Sequence, residues 1–182
     1  MNIPRMLRTV EAADRLDQPA ERLATSIRRV FGQGRVADWV RGSQLGHPVH
    51  PILVTLPIGA WSSAAALRIA GQNDAARRLV LIGLLATPAT VAAGLADFRD
   101  LDIYQRRVGL VHAAANGVAA LLFSAAYLTR GEFTATVFGA AGLAAMGAGG
   151  ALGGHLSYAL GAGVHRWQDE PAPLEVSPAS VS

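Results

Sequence analysis

The chain has 182 residues, 51% of them hydrophobic and only 16% charged, with a formal net charge of +3. A soluble domain carries about 25% charged residues, so this balance, with a mean hydropathy of +0.30, points to a membrane protein. All 16 basic residues are arginine and they are not gathered into one face, which argues against nucleic acid; with no cysteine, disulfides, thiolate metal sites and cysteine-ligated iron–sulfur clusters are excluded.

Charges recur every few residues through Arg41, which leaves no room for the apolar core of a signal peptide. Within this region Leu16, Ala20, Leu23, Ile27 and Val30 recur at spacings of three and four, between a start at Asp17 and Pro19 and a stop at "FGQG" (31–34). Arg22, Arg28 and Arg29 hold the opposite face. The segment is too short and too charged to span a bilayer. It is expected either to lie at the membrane surface as an amphipathic interfacial helix or to pack on the end of the domain that follows. Residues 1–44 therefore form an N-terminal interfacial region.

Four apolar stretches follow, each close to the roughly 20 residues that a crossing needs. They cover residues 51–70, 79–96, 108–129, and 133 onward to "LGAGVHRW", where Gly161 and Gly163 can end the last helix. No strand-like alternation competes. The fold class predicted is all-α, a four-transmembrane-helix bundle over 45–164, with a flexible Pro- and Ser-rich tail over 165–182. Four crossings put the termini and the second loop on one side. Eight arginines before residue 50, with Arg99, Arg106, Arg107 and Arg166, place twelve there, against four on the other side. The positive-inside rule makes both termini cytoplasmic. Gly109, Ala113 and Gly117, and the pairs Gly149/Gly153 and Gly150/Gly154, form small-residue faces suited to close helix packing or to a homo-oligomer.

The same topology brings four histidines to the terminal end of the bundle. His47 and His50 stand before prolines at the start of the first span, His112 is near the start of the third, and His155 is near the end of the fourth. Asn116 lies one turn from His112, and Tyr158 follows His155 by three residues. Asp97 ends the second span as a solvated charge, while Arg106 and Arg107 stand at the rim. Ionisable groups in a membrane are costly and mark sites that face the bundle interior. Haem b suits such a set, with an imidazole on each side of the iron and rim arginines for the propionates. Zinc or copper would take three or four imidazoles from His47, His50, His112 and His155. A quinone head group would be met by His155 and Tyr158. Structural histidines, capping the first helix or bonding across helices, are the non-redox alternative.

The segments "GHPVHP" (46–51), "LPIGAW" (56–61), "GLADF" (94–98), "RRVGLVHAAAN" (106–116) and "GGHLSYALGAGV" (153–164) resemble the bacterial membrane family catalogued as domain of unknown function 2231. The resemblance covers roughly residues 45–164 and implies a four-helix inner-membrane protein. Some relatives continue into a Rieske-type iron–sulfur domain, which implies electron transfer; here such a partner would be a separate redox protein. Relatives carry an acidic residue near Thr55 and Arg68 that this chain lacks, which speaks against a proton path or a hard-metal site. The expectation is a small integral membrane protein that binds a redox cofactor, haem b, and transfers electrons. The alternatives are a membrane scaffold or assembly subunit, and soft-metal binding or transport.

Overall fold

The computed structural model describes residues 3–32 and 34–164, and every regular element among them is helical. The expectations for the tail from residue 165, with His165 and Arg166, lie outside the described residues. Helices α1 (Ile3–Glu11), α2 (Asp17–Phe31) and α3 (Arg35–Arg41) precede the first span, which consists of α4 (His50–Leu53) and α5 (Thr55–Ile69). The remaining spans are α6 (Asn73–Phe98), α7 (Ile103–Leu128) and α8 (Glu132–Gly154), the last continuing through a π-turn at His155–Ala159. All four spans are long and apolar enough to cross a bilayer. The second and third begin six and five residues earlier than the apolar runs alone suggest, because polar first turns extend them. Asp102 and Gln105, for example, form a reciprocal capping box that starts α7 well before Val108.

Prolines shape the first span. Pro57 has no N–H to offer the Leu53 carbonyl, and the helix breaks at Val54. The freed carbonyl accepts instead from Oγ1 of Thr90 on α6, at 3.4 Å. The proline break thus stitches the first span to the second.

The bundle consists of two helical hairpins, α5 with α6 and α7 with α8, packed on each other. Its interior is built from small residues and a few rings. Trp61 stacks on Phe123 with centroids 4.1 Å apart and planes at 17°, over Ala64, Ala76 and Val80. Leu85 and Leu121 are each 71% exposed, as helices facing lipid require.

A second apolar cluster closes the terminal end. Ala20, Ala24 and Ile27 of α2 pack on Phe98 and Leu101. Of the two sequence expectations for this amphipathic segment, packing on the end of the domain is the one realised for its apolar face. A helical moment shows that a face must be covered but not what covers it.

Candidate functional site

The approach to the first span places His50. Gly42 ends α3 with φ +99°, and a Cβ there would lie 2.0 Å from the His47 carbonyl oxygen, so the doubling-back of the chain requires glycine. The Val49 N–H then donates to the Arg41 carbonyl at 3.3 Å. Helix α4 starts at His50 with Pro51 in its first turn, where a missing N–H costs nothing. His47 is left exposed on this loop.

His50 and His112 meet inside the bundle, one from each hairpin. Nδ1 of His50 donates to the Thr90 carbonyl at 3.0 Å, and its ring lies on Gly94, where a Cβ would come within 2.8 Å of Cε1. Nδ1 of His112 donates to the Gly149 carbonyl at 2.8 Å, and its ring lies on Gly153, with the corresponding distance 2.9 Å. The two ring centroids are 6.2 Å apart and the planes stand at 86°. A carbonyl only accepts, so in each neutral ring Nδ1 carries the proton and Nε2 keeps its lone pair. Asn116 donates to the His112 carbonyl at 2.9 Å and reaches Nε2 of that ring only at 3.4 Å. His112 sits nine residues into α7, deeper than the apolar run starting at Val108 suggests, whereas His50 opens α4.

The other expected site residues are placed elsewhere. Nε2 of His155 is 2.6 Å from a carboxylate oxygen of Glu11 on α1. Tyr158 is 94% exposed, on the outside of the π-turn. Among the described residues, no three His, Asp or Glu side chains stand close enough to hold one metal ion. The four histidines share one end of the bundle but not one centre. Gly149 and Gly153 serve the pair by close approach, whereas Gly117, Gly150 and Gly154 have open space where a side chain would project.

Arg106 and Arg107 anchor the N-terminal helices. Arg107 grips both carboxylate oxygens of Asp17 (2.6 and 2.8 Å) and donates to the Glu11 carbonyl at 2.6 Å. Arg106 pairs with Glu21, which also pairs with Arg28. Behind them Arg41 pairs with Asp97 and Asp100, so Asp97 is part of an ion-pair network rather than a solvated helix end. The sequence does not reveal the partners of Arg41, Arg106 and Arg107 on other elements because they lie 56 to 96 positions away. The missed Thr90 did carry a signal, as a hydroxyl in an otherwise apolar run.

These bridges give the cap a defined pH response. Hydrogen bonding from Arg107 holds the Asp17 carboxyl below its ordinary range, and that from Arg28 does the same for Glu21. A depressed carboxylate stabilises the docked state fully above its unfolded value, about 4, and that contribution is lost as pH falls through the folded value. The cap is therefore expected to stay docked across neutral pH and to loosen below about pH 4. Hydrogen exchange of residues 3–31 in detergent against pH checks this; protection unchanged down to pH 2–3 would contradict it.

Residues 46–166 match the family described as "Predicted membrane protein (DUF2231)". The chain belongs to that family. Four apolar helices and this membership make it a multi-pass membrane protein. No curated protein and no solved structure matches the chain.

Proposed function

We propose that His50 and His112 are the two protein ligands of a redox cofactor, haem b, and that this member of the DUF2231 family is a small electron-transfer protein of the bacterial inner membrane. The observation that carries this reading is the pair itself: two imidazoles from opposite hairpins, each with Nδ1 held by a backbone carbonyl, which keeps the proton of the neutral ring off Nε2. Metal-binding histidines are held in this way, because the second bond fixes tautomer and ring direction.

The donor set fits the group. His50 and His112 would hold the group through Nε2 of two imidazoles that come from opposite hairpins, with ring centroids 6.2 Å apart. Two imidazoles would suit a haem. They fall short of the four ligands of a structural zinc and offer nothing to a hard cation. When bound, haem supplies a reversible one-electron change at its iron. The chain's own residues orient the rings through Thr90, Gly149, Gly94 and Gly153.

Arg106 and Arg107 hold the cap in this reading, and electrons pass to a separate redox protein at the cytoplasmic face. Twelve of the sixteen arginines lie on the terminal side by sequence, so reporter fusions at Ser182 and Gln72 are expected to report opposite sides, with Ser182 inside. An external signal at Ser182 reverses the orientation. The cofactor is tested by the reduced-minus-oxidised absorption spectrum of protein purified after expression with ample haem. A reducible α-band supports the reading, and colourless protein leaves the histidines structural.

A further inference from the structure

Helix α3 buries a charge and exposes a large ring. Its inner side packs Ala37, 1% exposed, beside Arg41, which is 7% exposed and pairs with Asp97 and Asp100 at the end of α6. Its outer side carries Trp39, 63% exposed, and the turn that follows adds Leu45 at 54%. At the start of the first span Ile52 is also exposed, at 55%.

The positions of the other rings say what covers this side of α3. Among the described residues, the aromatic side chains that are more than half exposed are Trp39, Tyr104, Phe133 and Tyr158. Each sits at an end of the bundle: Tyr104 in the first turn of α7, Tyr158 in the π-turn that ends the fourth span, Phe133 in the first turn of α8 at the opposite end. Trp61 and Phe123, at mid-span, are buried. Rings concentrated at both ends and hidden between them form the aromatic belts of a membrane protein, because an indole or phenol has an apolar body for the acyl chains and a polar atom for the headgroups. Trp39 lies at the level of Tyr104 and Tyr158, since α3 is bonded to the end of α6 that leads directly into α7.

We propose that α3 lies in the headgroup–acyl boundary of the bilayer with Trp39 and Leu45 in lipid, so that this seven-residue helix, rather than α2, is the membrane-interface anchor of the N-terminal region. The partner is the phospholipid surface itself. The buried ion pairs of Arg41 fix the helix so that its indole meets lipid without α3 entering the hydrocarbon. This assignment is independent of the histidine pair.

The test uses full-length protein in phosphatidylcholine–phosphatidylglycerol vesicles. Trp167→Phe is compared with Trp39→Phe/Trp167→Phe, so that the difference in emission isolates Trp39 and leaves Trp61 in place. Lipid brominated near the top of its acyl chain is expected to quench the Trp39 emission most, lipid brominated near the chain methyl end less, and aqueous iodide little. Emission quenched by iodide and indifferent to brominated lipid overturns the proposal by placing α3 in water. Indifference to all three quenchers also overturns it, by showing that a protein surface covers Trp39.

Discussion

If the protein binds haem as proposed, alanine at His50 or at His112 is expected to abolish the haem signal, whereas alanine at His47 or His155 is expected to leave it. The two rings stand edge to face with centroids 6.2 Å apart, and each would supply one Nε2 from its own hairpin. His47 is exposed on its loop, and His155 is committed to Glu11 on α1. Gly94→Ala and Gly153→Ala keep both ligands but drive a methyl into the ring that each glycine supports. Misorienting a ligand costs roughly 10–100-fold in affinity, so these variants should load partially and gain colour as haem is added, which the histidine variants should not. Loss of signal on removing His155 but not His50 would move the site to the fourth span and refute the pairing.

That result also measures what the sequence made legible. The four spans follow from apolar length, and the ends of α2 from its caps and period, because both signals are local. The shared depth of His50 and His112 follows from counting residues along antiparallel helices. The sorting of the four histidines does not. His47 and His50 differ by three residues across a proline-bounded turn, and only the doubling-back at Gly42 decides which ring enters the bundle. His155 looks like a partner for His112 until α1 is placed, since nothing local marks Glu11 as the group that occupies it.

The rim arginines show the same limit. Charge counting assigns Arg106 and Arg107 to the terminal side, but it does not say that Asp17 and Glu21 engage them. An arginine beside a helix start is equally suited to a propionate or to a carboxylate of its own chain. The competition is settled by the apolar face of α2, which brings both carboxylates to the rim when Ala20, Ala24 and Ile27 dock on Phe98 and Leu101. Packing therefore selects the ion pairs, and the ion pairs take two arginines away from a role at the site.

Trp61→Ala is expected to be the most destabilising single change in the bundle. The indole stacks on Phe123, donates to the Val80 carbonyl at 3.2 Å, and fills the groove opposite Gly83. In lipid the drive for this contact is dispersion and close fit rather than escape from water, yet the hole left by a tryptophan is as large, and losses of about 3–5 kcal/mol are usual. Gly83→Ala attacks the same contact from the other side. Its Cβ would lie 2.2 Å from Nε1 of Trp61, so α5 and α6 must separate, at a cost of about 1–3 kcal/mol. In the double variant the new methyl enters space that the indole has left. The combined loss should then be smaller than the sum of the single losses by about 1 kcal/mol or more, as expected for residues in direct contact. Reversible unfolding in mixed micelles, followed by near-ultraviolet circular dichroism, measures all four corners of this cycle. Additive losses would mean that Gly83 and Trp61 are not in contact, and that the first hairpin is held together by something other than this ring in its glycine groove.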